Sequence, residues 1–306
     1  MGKYLIKRLL IGVVTLFVLA TITFFLMHAI PGSYFAGDTS NLPANTKEKL
    51  IQQYGLEEPV YVQYMKYLGN VIRGDFGTSV NRRGREVSDI IISGIPKTAS
   101  LGLVAFCIAI CVGIFLGTVA AFSKQRWVDN AVVFVAAIGI SVPSFLMALL
   151  MMMLFGVVLR WLPIVGLASW KHYIMPGVAL ALPAIAMISR LTKTSLTEVM
   201  KQEYMILAKS KGTDQLTMIL RHAFPNALIP VVTYAGPLLA SFLTGSFVVE
   251  TLFSIPGIGA EFVMSISNRD YTMIMALTLF YGAIIIICNI VTDLIMAVLD
   301  PRIRLK

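Results

Sequence analysis

The sequence predicts an all-α polytopic membrane protein with six transmembrane helices, and three observations carry that prediction. Of 306 residues, 57% are hydrophobic and 13% charged, about half the charge content of an ordinary soluble domain. Six apolar stretches reach the length of about 20 residues that a bilayer crossing needs. They are continuous rather than alternating, which excludes a transmembrane β-barrel.

The stretches fall at 9–29, 101–122, 135–157, 173–189, 226–249 and 274–298. The first follows Lys3, Lys7 and Arg8. It is too long for the apolar core of a signal peptide, and Met27-His28-Ala29-Ile30-Pro31 makes a poor cleavage site, so 1–30 reads as an uncleaved helix. In the second, Gly113 and Gly117 stand four apart, a spacing that lets another helix approach closely. Pro143 breaks the third, Pro176 and Pro183 the fourth, Pro230 and Pro237 the fifth. Each proline frees a carbonyl that neighbouring helices or a wet cavity must satisfy. Kinked helices around a pathway and the ordinary proline usage of membrane helices both fit.

In the sixth, Asp293 is the one acidic residue deep in a span, beside Asn289 and Thr292. A hydrogen-bonded structural role is expected of it ahead of a proton relay. Cys107, Cys111 and Cys288 lie inside spans and read as small buried hydrophobes. Ser141, Ser144, Thr233, Ser241, Thr244 and Ser246 are the polar candidates for lining a path, with helix-helix hydrogen bonding as the plainer role.

An even number of spans puts both termini on one side. Fourteen Lys and Arg lie in 1–8, 123–130, 190–225 and 300–306, against Arg160, Lys171 and Arg269 in the opposite short loops. By the positive-inside rule the termini and the 190–225 loop are cytoplasmic, and topology rather than nucleic-acid binding accounts for the net charge of +9. The 31–98 segment then lies outside the membrane, its eight basic and seven acidic residues nearly cancelling. Asn45, Glu48 and Gly55 outline one short helix there. Pro59 opens a second, with Tyr61, Met65, Leu68 and Ile72 on one face. A segment this small is marginal as an independent domain, so that face is expected to rest on the bundle or a partner. Residues 99–299 form the core of helices two to six, and 300–306 a cytoplasmic tail.

The 190–225 loop reads as two amphipathic helices. One carries Tyr204, Ala208 and Lys211 on successive turns and stops at Gly212. The other is capped by Thr213, with Leu216, Ile219, Leu220 and Ala223 on one face. A DNA-binding helix-turn-helix is disfavoured because spans at both ends pin the unit to the bilayer. A knob for a groove on a cytoplasmic partner and an amphipathic helix lying on headgroups both fit the residues alone.

The spacing resembles the "EAA" loop of ABC importer membrane subunits: Glu-Ala-Ala, three residues, Gly, nine residues, then Ile-x-Leu-Pro. Gly212 and Pro225 have that separation, Ile206-Leu207-Ala208 stands at Glu-Ala-Ala, and His222-Ala223-Phe224-Pro225 stands at Ile-x-Leu-Pro. Further matches run almost end to end: Pro31-Gly32, Tyr54-Gly55-Leu56, Gln63-Tyr64, Gly74-Asp75-Phe76-Gly77-Thr78-Ser79, the run from Glu250 to Gly259, Asn268-Arg269-Asp270-Tyr271 and Asp300-Pro301-Arg302-Ile303-Arg304. The chain is thereby identified as similar to the oligopeptide/dipeptide/nickel branch, in particular its oligopeptide permease subunit with a long first outer loop.

That resemblance implies a type I ABC importer transmembrane domain that carries peptides, with dipeptides, glutathione or nickel as alternatives. It implies five parts: this subunit, a homologous second permease, two ABC ATPase subunits and an extracytoplasmic solute-binding protein, in a bacterial or archaeal inner membrane. ATPase coupling is expected of Tyr204, Leu207, Ala208, Lys209, Lys211 and Gly212, with His222 and Pro225 supporting the loop. Docking of the binding protein is expected of Asp75, Glu250, Arg269 and Asp270, and the 254–259 turn reads as a tight turn ahead of a gate.

No Gly-x-x-x-x-Gly-Lys-Ser/Thr phosphate loop is present. The chain is therefore expected to bind no cofactor and to be no enzyme, ATP and Mg residing on the partner ATPases. An ion-driven secondary transporter would call for paired intramembrane ionisable residues and inverted repeats. An intramembrane enzyme finds no His-Glu-x-x-His or Gly-x-Ser-x-Gly, and His28, His172 and His222 lie in separate segments.

Overall fold

Backbone in hydrocarbon must satisfy its own hydrogen bonds, which favours helices. The computed structural model describes residues 2–30, 51, 55, 57–79, 81–82, 84–123 and 125–299. Among these the only strand-like pairing is an isolated bridge between Thr78 and Glu86. The helix expected around Asn45 and Glu48, the Pro31-Gly32 pair and the terminal run from Asp300 lie outside the described residues.

The helices are α1 (Gly2–Ala29), α2 (Val60–Ile72), α3 (Val87–Phe122), α4 (Arg126–Ser141), α5 (Ser144–Met151), α6 (Ile174–Val199), α7 (Glu203–Ser210), α8 (Gln215–Thr217), α9 (Phe224–Ala227), α10 (Ile229–Leu243), α11 (Phe247–Leu252), α12 (Ile258–Ser267) and α13 (Tyr271–Leu299). Four apolar helices long enough to cross a membrane are unbroken: α1, α3, α6 and α13. Two more crossings are bent pairs, so six spans result when each pair counts as one. The α4–α5 pair turns through 105° where Pro143 interrupts the ladder, and the loop helix leading into α10 turns through 56°.

Several helices outrun the apolar stretches that predicted them. Helix α3 starts at Val87, well before 101, and its 36 residues at about 1.5 Å each exceed the hydrocarbon thickness of about 30 Å. Its first turns are held by tertiary contact, Val87, Ile90 and Ile91 packing on Ile258, Met273 and Leu277. Pro96, inside this helix, does not end it. Helix α6 likewise continues to Val199, beyond 189.

Glycines set the closest crossings. A Cβ on Gly113 would stand 2.7 Å from the Ile188 Cβ, and one on Gly117 2.5 Å from the Ser189 carbonyl oxygen, so α3 and α6 approach backbone to backbone as their spacing suggested. Gly236 meets Thr292 in the same way across α10 and α13, and Gly12 meets Ile286 across α1 and α13. These registers gather the starts of α1 and α10 and the ends of α3, α6 and α13 at one end of the bundle, with the 203–227 loop. The opposite end carries α2, the start of α3 and the 245–270 segment.

Three readings of individual residues are refined. Asp293 pairs with Arg8 of α1 at 3.1 Å rather than relying on its neighbours Asn289 and Thr292; the Thr292 hydroxyl donates to Cys288 O. Cys107 and Cys111 are exposed, because each outer helix keeps one face away from the bundle; Cys288 is buried. Helix α2 forms after Pro59 as expected; Tyr61, Met65 and Ile72 are exposed in this chain, so of the two supports expected for that face, bundle or partner, the bundle does not supply it. It packs instead through Tyr64 and Tyr67, whose rings lie 5.3 and 5.5 Å from that of Phe24. The Tyr64 and Thr21 hydroxyls share a hydrogen bond of 2.7 Å, and Gln63 meets His28 at 3.1 Å. Aromatic stacking and these polar ties outweigh the aliphatic stripe. Burial, with Tyr64 alongside, pushes the Tyr67 hydroxyl up to about 12.

Candidate functional site

The 203–227 loop is built on a small core of its own. Met205, Met218, Ala223 and Ala227 pack with Leu196 of α6, and Phe122 at the end of α3 rests against them. With Met205 facing in, helix α7 turns Tyr204, Ile206 and Leu207 outward, at 42%, 60% and 57% exposure. The helix closes in a Schellman motif, the N–H of Gly212 donating to Lys209 O at 3.0 Å and that of Thr213 to Ala208 O at 3.3 Å. Gly212 has φ +77°, the left-handed conformation such a closure needs, and no atom stands within 4 Å of where its Cβ would be. Lys209 and Lys211 are exposed beside it.

The second loop helix is capped one residue later than expected. While the Thr213 N–H closes the first helix, the Asp214 carboxylate, not the Thr213 hydroxyl, accepts from the Thr217 N–H at 3.0 Å. That bond holds the Asp214 carboxyl below its usual value. The expected apolar face is also redrawn: Leu216 and Leu220 are exposed, whereas Met218 and Ala223 are buried. Residues Met218–Ala223 are π-helical, and the wider turn brings positions five apart, not four, onto one face. His222 is half-buried and Pro225 exposed. The Asn226 amide donates to the Tyr204 hydroxyl at 3.0 Å and ties the two loop helices together.

At the opposite end the expected docking residues divide. Glu250 and Asp270 are buried inside the chain and are not offered to a partner. Thr98 donates to one Glu250 oxygen at 3.0 Å and the Ala260 N–H to the other at 2.9 Å, while Thr98 itself accepts from the Ile258 N–H. Glycines make the room: a Cβ on Gly257 would stand 2.6 Å from the Glu250 carboxylate and one on Gly245, 2.4 Å. Burial raises the Glu250 pKa against the lowering effect of those donors. Asp270 opens α13, accepting from the Met273 N–H at 3.2 Å and from the Thr272 hydroxyl. Ser79 and the Asn81 N–H donate to its other oxygen, joining the segment before α3 to the last span. Neither carboxylate's use as a clamp was visible in the sequence; Thr98 and Ser79, residues of no motif chemistry, are the partners. Asp75 is exposed and accepts from the Gly77 N–H. Arg269 is half-buried with φ +53°.

The polar residues expected along a path are scattered. Ser141 is exposed and Ser144 half-buried at the α4–α5 break. Thr233 donates to Ile229 O within α10 and also meets the Met296 sulfur, and Thr244 donates to Ser241 O. Ser246 stands outside the start of α11.

Six apolar crossings, counting each bent pair as one, and an outward-facing glycine-closed helix between two of them define a polytopic α-helical membrane domain. Residues 113–305 match the family described as "Binding-protein-dependent transport system inner membrane component", and residues 1–102 match its N-terminal counterpart. The chain is 42% identical over 305 residues to the dipeptide transport system permease protein DppB of Bacillus subtilis (strain 168), covering 100% of this chain and 99% of that one. It is 40% identical over 306 residues to the oligopeptide transport system permease protein OppB of Escherichia coli (strain K12), covering 99% and 100%. Its fold resembles that of an inward-facing MetNI methionine ABC transporter chain, with TM-score 0.57 and 16% identity over 69% of this chain and 96% of the other. The chain belongs to the binding-protein-dependent transport system membrane component family. It is a multi-pass, non-enzymatic ABC importer permease, a class that works with ATPase and substrate-binding partners.

Proposed function

We propose that this chain forms half of the translocation pathway of an ATP-driven peptide importer, oligopeptides being the first-choice cargo. Two of its relatives are named for dipeptide and oligopeptide transport. A homologous second permease completes the pathway, two ATPases carrying ATP and Mg attach at the 203–227 loop, and an extracytoplasmic binding protein delivers the peptide. The excess of basic residues at the loop's end of the bundle supports cytoplasmic termini and a cell (inner) membrane location.

The observation that carries this reading is the outward apolar set on α7. Tyr204, Ile206 and Leu207 stand in the open on a helix whose inner face and closing turn are already satisfied. A helix so anchored transmits a push instead of absorbing it. Docked in an ATPase cleft, it moves with that subunit, and α6 and α10, joined to the loop at both ends, move with it. Lys209 and Lys211 add charge steering, and Gly212 lets the chain turn sharply behind the docked helix.

A single cysteine at Leu207, with Cys107, Cys111 and Cys288 replaced by serine, tests the contact in the complete importer. Cross-linking to an ATPase subunit, altered by ATP, is expected. Cross-linking confined to lipid-facing or extracytoplasmic probes overturns the proposal.

A further inference from the structure

A cavity of about 310 Å3 opens between the first turns of α3 and the turn at Pro256, Gly257 and Ile258. Arg82, Arg85, Lys97 and Glu261 line its polar side, and Ile90, Ile91 and Leu277 its apolar floor. Arg82 is neutralised, its guanidinium donating twice to Glu261 at 2.9 and 2.7 Å. Arg85 and Lys97 are exposed and have no ion-pair partner among the described residues. Among the described residues the cavity thus carries two unpaired positive charges above a hydrophobic base. Its far wall is stiff, because Gly257 and Ile258 are held from behind by Thr98 and Glu250.

We infer that this cavity receives a carboxylate attached to an apolar body, namely the C-terminal end of the peptide being imported. Guanidinium and ammonium groups bind carboxylates through charge-assisted hydrogen bonds. The apolar floor accepts the side chain next to that carboxylate. The volume lies at the small end of ligand pockets, which run from roughly 300 to 1,000 Å3. It therefore takes one end of a peptide rather than the whole. The inference rests on the peptide-import reading for the identity of the cargo, while recognition of a carboxylate rests on the cavity alone.

The test uses the complete importer in nanodiscs without its binding protein, read by saturation-transfer NMR. Gly-Phe is compared with Gly-Phe amide, and phenylacetate with phenylacetamide. Each carboxylate is expected to bind up to about tenfold more tightly than its amide. The Arg85→Gln/Lys97→Gln double variant is expected to abolish that preference, and Lys171→Gln, outside the cavity, to keep it. Equal binding of acid and amide in both series, or a preference that survives the double variant, overturns the cavity's role. A preference kept for phenylacetate but absent for Gly-Phe leaves the carboxylate site standing and overturns the peptide as its occupant.

Discussion

Arg8 and Asp293 join the first and last spanning helices through a contact of 3.1 Å at the loop end of the bundle. The pair is partly exposed, and pairs of that kind contribute about 0.2–1 kcal/mol. A double-mutant cycle with Arg8→Leu and Asp293→Leu should return a coupling in that range, measured by thermal unfolding in detergent. A coupling near zero would remove the pair from the account of how α1 is held.

Gly212→Val should leave the protein in the membrane and uncouple ATP hydrolysis from uptake. Its Cβ has open space, so the effect comes from the left-handed backbone, where an L side chain costs about 1–2 kcal/mol. ATPase activity and transport measured together in proteoliposomes decide it, and unchanged transport would count against the coupling role.

Asp214 caps the second loop helix as an anion, and its carboxyl pKa is lowered by the Thr217 hydrogen bond. A lowered folded value means the stabilisation is complete above the unfolded pKa of about 3.9 and is lost as pH falls through the folded one. Amide exchange at residues 215–219 should therefore be flat near neutrality and speed up only in acid. Asp214→Ala should show the fast exchange at neutral pH, and Asp214→Asn should remain slow across the range.

Glu250→Ala should destabilise by about 1–3 kcal/mol, since the Thr98 hydroxyl and the Ala260 N–H lose a buried acceptor. Thermal melting of purified protein measures this directly. Exposing the Ala260 amide should also make proteolysis near 256–260 faster.

Two alanine substitutions should act in opposite directions. Gly102→Ala places a Cβ 2.4 Å from the Phe242 carbonyl oxygen, a backbone atom that cannot step aside, and overpacking of that kind costs about 1–3 kcal/mol. Gly69→Ala, in α2 with nothing within 4 Å, should stabilise by about 0.5–1 kcal/mol. Melting temperatures of the pair test whether helix contact or helix propensity governs each site.

Six crossings, the Gly113–Gly117 contact, the α2 helix after Pro59 and the stop at Gly212 were all legible from local pattern. The loop's apolar face was not. A 3.6-residue period groups Leu216 and Leu220 with Ala223, whereas the π-helical stretch Met218–Ala223 puts Ala223 on one face with Met218 and leaves both leucines exposed. The cap was misplaced by one residue because Thr213 and Asp214 are both good capping residues, and the backbone puts the carboxylate of Asp214 at the Thr217 N–H. Glu250 and Asp270 looked like surface charges, since nothing in a linear string shows that Thr98 and Ser79 come round to meet them.

Periodicity, length and charge asymmetry are properties of neighbours along the chain, and they were enough for class, span count and the position of the loop. Which side chains face each other across 150 or more positions is settled only when the helices pack. Thr98 with Glu250 and Arg8 with Asp293 are such pairs. The physical reason is that membrane helices gain little from hydrophobicity in choosing partners, so small-residue contacts and a few buried polar ties, invisible to any local pattern, decide the arrangement.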